Sequence, residues 1–303
     1  MNVIKPWILA ARPKTLFASL SPIIIGLSFS FYIYFQIDWL VAILTIFSAI
    51  LIQIGSNYAN DAYDYLKGAD SSRVGPSRMA QKGILSPNAI LNMMYLIFTI
   101  SVLIGFYLAL VGGWPIVIIG LFSILFAIIY TGGPFPLGYH GLGDIAVFIF
   151  FGLIATIGTI YLQSESIKSA INIFDYTIPI ILISIAIGCL NTAILVINNI
   201  RDYKSDKESN KKTLVVFFGQ KFGCIEYASL LIISLTCFVV TGIIINNYLI
   251  VYLMIFELVI TISLIKRVFN YKNINLNNML EKTSQFAFLN SILFAFAILV
   301  IGL

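Results

Sequence analysis

The sequence predicts an all-α integral membrane protein: nine transmembrane helices in one bundle, with the N-terminus in the cytoplasm. Three observations carry this. A mean hydropathy of +0.99 lies outside the range of soluble globular domains. Apolar residues come in unbroken runs of about 20, long enough to cross the hydrocarbon core as a helix, and they do not alternate as barrel strands do. Once nine runs are counted, 17 of the 18 lysines and arginines fall on one side, as the positive-inside rule requires.

The first run, 15–35, follows Lys5, Arg12 and Lys14 and lacks a small-residue cleavage site, so no removable signal peptide is expected. Gln36-Ile37-Asp38 leads into the second run, 39–60, and four cations (Lys67, Arg73, Arg78 and Lys82) come after it. Runs 88–110 and 114–131 are joined through Gly112-Gly113, a short link that makes antiparallel neighbours. The fifth and sixth, 145–163 and 176–200, are separated by the one cation on the other side, Lys168. Asn246-Asn247 joins 227–246 to 248–265, whose Glu257 is the only charge inside any run, and 283–303 completes the set. The long connections, 61–87, 132–144, 201–226 and 266–282, all fall on the basic side, where function in such bundles is usually carried.

The chain reads as a single membrane domain, 1–303, without a soluble module. The net charge of +5 is accounted for by loops at an anionic leaflet, and no nucleic-acid partner is expected. Cys189, Cys224 and Cys237 lack metal-ligand spacing and read as small buried apolar groups. His140, the only histidine, reads as a locally bonded loop residue. Asn57-x3-Asp61 recurs as Asn198-x3-Asp202, each pair running into a basic loop, which is consistent with a duplicated helix-plus-loop unit ending near 57–82 and 198–221.

The carboxylates are concentrated at two run ends. Asn57, Asn60, Asp61 and Asp64 stand at i, i+3, i+4 and i+7, on one helical stripe. Asn198, Asp202 and Asp206 repeat the arrangement at i, i+4 and i+8, with Asn199 adjacent. Like charges one turn apart repel. Near the bilayer core desolvation adds to that, about 2.5–3.5 kcal/mol for one Asp at a helix centre. Solvated helix ends are the plain alternative for one such stripe, but two of matched spacing on one side call for a neutralising cation. Donors that are all oxygen point to a hard divalent ion, and Mg2+ commonly joins one or two carboxylates to a substrate phosphate. Lys67, Arg73 and Arg78 after the first stripe, and Lys204, Lys211 and Lys212 after the second, suit the phosphate side of such an assembly.

Asn60-Asp61-Ala62-Tyr63-Asp64, with Gly68-Ala69-Asp70 and Arg73-Val74-Gly75-Pro76, resembles the first aspartate motif of the UbiA superfamily of intramembrane prenyltransferases. Asn198-Asn199-Ile200-Arg201-Asp202-x3-Asp206-x4-Lys211-Lys212-Thr213-Leu214 resembles the second. Arg12-Pro13-Lys14-Thr15-Leu16, Tyr130-Thr131-Gly132-Gly133-Pro134 with Pro136-Leu137-Gly138-Tyr139, and Gly141-Leu142-Gly143-Asp144 are similar to the branch that prenylates 1,4-dihydroxy-2-naphthoate in menaquinone synthesis.

The resemblance implies a nine-helix fold and two Mg2+ ions that hold the diphosphate of an allylic polyprenyl donor. Asn60, Asp61 and Asp64 would hold one ion, Asp202 and Asp206 with Asn199 the other, and Asp70 would assist from its loop. Lys67, Arg73, Arg78, Arg201, Lys211, Asn57 and Asn198 would face the diphosphate, while Asp144 and Tyr130 would orient or deprotonate a ring hydroxyl of the acceptor. Related 4-hydroxybenzoate enzymes carry Tyr-x3-Lys in the fourth loop. This chain has no lysine between Lys82 and Lys168, which disfavours that acceptor. A different acceptor, or a cation transporter, are the competing readings. A transporter calls for several mid-span ionisable groups, and here there is only Glu257.

Overall fold

The computed structural model describes residues 4–68, 75 and 78–301, and among these the regular structure is all helical. A short α1 (Ile4–Ala11) ends at Arg12, whose left-handed backbone (φ 52°) turns the chain into α2 (Leu16–Tyr34). Asp38 caps α3 (Trp39–Leu66), accepting from the Val41 amide at 3.1 Å. Ser86 caps α4 (Pro87–Ile129) in the same way, with Pro87 in the first helical position.

Straight, the 43 residues of α4 would reach roughly 65 Å, about twice a bilayer core. The break is at Gly113, where φ 67° and ψ −160° lie outside the helical region and suit a residue without Cβ. Ile90 and Met94 from the first half share an apolar cluster with Ile124 and Ala127 from the second, while Leu108 and Ile116, either side of the break, share another. α4 is therefore a hairpin. Among the described residues eight helices are long and apolar enough to cross a membrane, and counting the α4 hairpin as two gives the nine expected crossings.

α5 (Gly143–Phe148) runs through a π-helical segment, Ile149–Ile154, into α6 (Ala155–Ile167). Next come α7 (Thr177–Glu208), the short α8 (Leu214–Phe218), α9 (Gln220–Ile244), α10 (Tyr248–Phe269) and α11 (Leu276–Ile301). α7 is largely buried and forms the axis of the main core: Ile183, Ile187, Leu190 and Ala193 pack with Phe29 of α2, Phe238 of α9 and Phe294 of α11. The largest exposed apolar side chains, such as Phe106, Leu121, Phe256 and Val259, point outward, as lipid-facing residues do. All three cysteines are free and buried.

The helices overrun their apolar runs at the basic end: α3 continues to Leu66, α7 to Glu208, and α9 begins at Gln220. Hydropathy marks only the hydrocarbon slab, whereas the backbone ladder continues beyond it and carries both acidic stripes as helix. Every basic connection gathers there, tied by Lys14–Glu281 (2.7 Å), Arg201–Asn277 (3.0 Å) and the Lys212 amide to the Tyr139 carbonyl (3.0 Å). At the opposite end Asp38 meets Gln163 (2.9 Å) and the Tyr161 hydroxyl donates to the Gly112 carbonyl (3.0 Å), beside exposed Trp39 and Trp114.

Candidate active site

The last turns of α3 and α7 bring one carboxylate from each stripe to a common place. Asp64 Oδ1 accepts the Tyr139 hydroxyl at 2.7 Å, and Asp64 Oδ2 lies 2.6 Å from Arg78 Nη1. Lys211 Nζ stands 3.8 Å from Asp206 Oδ1 and also acts on Asp64. Tyr130, at the end of α4, lies within electrostatic reach of Asp64, Asp206 and Asp144 together. Asp64 and Asp206 are thus linked through Tyr139 and Lys211, whose ammonium lies 5.5 Å from the Tyr139 ring, and both carboxylates are nearly fully buried.

Several neighbours fix this arrangement. Arg78 also donates to the Asn60 carbonyl (2.7 Å), and Thr131 donates its hydroxyl to Asn60 Oδ1 (2.9 Å). Lys67 donates to the carbonyls of Thr131 (2.7 Å) and Gly133 (3.3 Å) and sits 4.9 Å above the Tyr139 ring, with Lys211 at 5.5 Å. Burial lowers the Lys67 ammonium pKa, opposed by the pull of Asp64. The glycine-rich run 132–143 is explained by closeness. A Cβ on Gly138 would stand 3.1 Å from the Tyr130 ring and one on Gly143 2.9 Å from its hydroxyl, so the loop and the start of α5 wrap Tyr130 backbone-first.

Behind Tyr130 an apolar cavity of about 360 Å³ runs between α2, α3, α4 and α5–α6. Its lining includes Phe106 and Leu121, which are also exposed on the outside of the bundle, so the cavity opens sideways toward lipid. On the other side of Tyr139, Lys67, His140, Asn210 and Lys212 line a polar pocket on the loop side. Tyr130 borders the greasy, laterally open channel and Tyr139 the polar pocket, and Gly138 between them in sequence packs against the Tyr130 ring.

The sequence matches the UbiA prenyltransferase family over residues 19–292. The chain belongs to that family. It is 39% identical over 260 residues to the 1,4-dihydroxy-2-naphthoate octaprenyltransferase of Haemophilus influenzae, with 82% of each chain covered. It is also 39% identical over 238 residues to the Escherichia coli protein of that name, covering 76% of this chain and 74% of that one. Among solved structures, a UbiA homolog from Archaeoglobus fulgidus bound to GPP and Mg2+ superposes with a TM-score of 0.70 at 16% identity, covering 97% of this chain and 99% of that one.

Within this UbiA fold the expected site residues divide. Asp64, Asp206, Asn60, Tyr130, Arg78, Lys211 and Lys67 gather as described. Asp61 does not: its two oxygens accept the backbone amides of Met79 (3.0 Å) and Ala80 (3.2 Å), which makes it the anchor of the following turn rather than an open ligand. Asn57, expected at the diphosphate, instead donates to the Ala11 carbonyl (2.8 Å) and Thr15 Oγ1 (3.0 Å), fixing the turn around Arg12. A stripe four residues wide fans out around the helix, so its edges meet different neighbours. In the second stripe Arg201 chelates Asp202 through Nε (2.7 Å) and Nη2 (2.6 Å) and also holds Asn198 and Asn277; Asn199 reaches Asp144 (3.5 Å). Arg73 and Asp70 lie outside the described residues.

Leu142 stands at the N-cap of α5, and Asp144 lies buried in the first turn. Tyr139 and Glu226, which faces Asp144 from α9, have site positions that sequence reasoning did not single out. Tyr139 appeared only as the last letter of a Gly/Pro run, and Glu226 was counted as loop because the seventh apolar run starts one residue later. His140 is locally bonded: Nδ1 lies 2.8 Å from the Pro136 carbonyl, and the ring stacks 3.7 Å from Phe135.

The donor chemistry fits a magnesium ion. The converging groups are oxygens, buried, and already paired with the cations Arg78 and Lys211, as a site that must neutralise carboxylates requires. Among the described residues no three Asp, Glu, His or Cys side chains form a ready-made metal cluster. An ion held here would have one or two of these carboxylates as protein ligands and would need further oxygens from a substrate such as a phosphate.

Proposed function

We propose that the chain transfers a polyprenyl group from an allylic polyprenyl diphosphate to 1,4-dihydroxy-2-naphthoate, releasing diphosphate and CO2 and leaving a demethylmenaquinol. The observation that carries this reading is the linking of Asp64 and Asp206 through Tyr139 and Lys211, next to a lipid-open cavity lined by Tyr130. The acceptor assignment is supported by the printed names of relatives at 39% identity over three quarters or more of the chain.

In this reading Asp64, Asn60, Asp202 and Asp206 would hold two Mg2+ ions, which would supply charge neutralisation to the departing diphosphate. Arg78, Lys211 and Arg201, which hold Asp64, Asp206 and Asp202 here, would then be free to turn to the phosphate oxygens, with Lys67 supporting them from the Tyr139 ring. The cavity takes the isoprenoid tail and lets its excess length pass into the bilayer. Breaking the C1–O bond leaves an allylic cation at the Tyr130 level. The ring carbon bearing the carboxylate attacks it, a C–C bond forms, and loss of CO2 returns its electron pair to the ring, so no ring proton has to be removed. Tyr130 donates a hydrogen bond and Asp144 accepts one, together orienting the acceptor hydroxyls. Burial of the site under the 130–142 and 78–85 loops keeps water from the cation. The basic end faces the cytoplasm of a plasma-membrane protein.

An acceptor competition tests this. Purified enzyme with Mg2+ and one polyprenyl diphosphate receives dihydroxynaphthoate and 4-hydroxybenzoate together, and products are identified by mass. Prenylated, decarboxylated naphthoquinol is expected. Prenylated hydroxybenzoate alone overturns the assignment.

A further inference from the structure

The residues described above grip the donor's head and accommodate its tail, which leaves open where a flat acceptor ring sits. Most of the cavity is lined by aliphatic and small hydroxyl side chains. Its aromatic side chains are Phe106, on the lipid side, and a set made of Phe126, Tyr130, Phe150 and Phe151. Phe126 and Tyr130 are one helical turn apart on α4, with the Tyr130 amide bonded to the Phe126 carbonyl at 2.9 Å. The Phe126 and Phe150 rings are 4.5 Å apart at 39°. Phe150 lies in the rod that begins with Asp144, with Ala146 and Val147 lining the cavity between them.

The backbone reason for this placement is unusual. Ile149–Ile154 is π-helical, a wider turn than the α-helix on either side, and Phe150 and Phe151 within it both line the cavity. The segment is pinned next to Gly152, where a Cβ would lie 2.6 Å from the Gly188 Cα of α7. The rings therefore sit on a fixed backbone, about 6 Å (one turn) deeper than Tyr130.

We propose that Phe126 and Phe150, packed against each other, form an aromatic wall on which the second, unsubstituted ring of a fused bicyclic acceptor rests. Its hydroxylated ring stays at the Tyr130–Asp144 level, where polar partners are. An isoprenoid tail needs only apolar volume, whereas a flat conjugated ring gains specifically from offset contact with aromatic faces. A single-ring acceptor anchored at Tyr130 does not extend the extra turn to reach them. This inference rests on the functional reading above and makes the two phenylalanines determinants of acceptor choice.

The test is F150L and, separately, F126L, which keep apolar bulk and remove the flat face. KM for dihydroxynaphthoate and for the polyprenyl diphosphate is measured in each. The expected result is a rise of roughly tenfold in acceptor KM, the size of one aromatic contact, with donor KM unchanged. Binding of dihydroxynaphthoate without donor, followed by its own fluorescence, should weaken in parallel and serves as the readout if turnover is too low. An unchanged acceptor KM, or a rise in donor KM alone, overturns this role and gives the rings to the tail. Wild-type enzyme that cannot use dihydroxynaphthoate at all overturns the functional reading instead.

Discussion

Arg78 places Nη1 2.6 Å from the Asp64 carboxylate, with both side chains almost wholly buried. Removing one member of such a pair strands the other's charge, at a cost of about 3–5 kcal/mol. R78Q should therefore melt at a lower temperature than wild type in detergent with EDTA. Excess Mg2+ should narrow the gap, because an ion at Asp64 replaces the missing cation. A gap insensitive to Mg2+ would remove Asp64 from the metal site. Donor KM should also rise, since Arg78 no longer turns to the diphosphate.

Asp61 and Asp64 are neighbours on one helix with different tasks, and isosteric substitution separates them. D64N removes the charge at the converging site and should lower kcat by two orders of magnitude or more, with the fold retained. D61N keeps one acceptor oxygen for the Met79 and Ala80 amides and loses the other. It should cost about 1–3 kcal/mol of stability, read as a lower melting temperature, while leaving measurable turnover. Equal loss of activity in both, at equal stability, would make Asp61 a ligand after all.

The fold was largely legible in sequence because nine apolar runs and one-sided cations report directly on a bilayer. The hairpin in α4 was legible too, from Gly112-Gly113. The site was legible in its residue types but not in its division of labour. Helical spacing placed Asn57, Asn60, Asp61 and Asp64 on one stripe, yet which edge of the stripe meets α7 and which meets the 78–85 turn depends on tertiary packing. Asn57 and Asp61 went to local anchoring for that reason. Tyr139 was hidden more completely. Its value comes from a loop folding back so that its hydroxyl meets Asp64 and its ring meets Lys67 and Lys211, three contacts distant in sequence. The π-helical turn at Phe150 left no periodicity signal, since the run 145–163 is apolar on every side.

Y139F tests that hidden role. It deletes the 2.7 Å hydrogen bond to Asp64 while keeping the ring under the two lysines. A hydrogen bond to a charged group contributes about 1.5–3 kcal/mol, so kcat/KM for the donor should fall by roughly 10- to 100-fold. Y139L, which removes the ring as well, should fall further and show a steeper dependence on ionic strength. Identical kinetics for Y139F and wild type would show that Asp64 is positioned by Arg78 alone.

Metal removal should stop turnover without unfolding the protein. Arg78 and Lys211 already compensate Asp64 and Asp206, so stripping Mg2+ leaves no naked buried charge, and the melting temperature in EDTA should stay within a few degrees of that in Mg2+. Mg2+ alone gains little, because it must displace those cations. Diphosphate alone gains little, because it meets paired carboxylates. Given together, the ions take the carboxylates and the freed Arg78 and Lys211 take the phosphate oxygens. Thermal stabilisation by Mg2+ plus diphosphate should then exceed the sum of the separate shifts, and activity lost to EDTA should return on adding Mg2+. Additive shifts, or full activity in excess chelator, would contradict the exchange of partners on which the proposed chemistry depends.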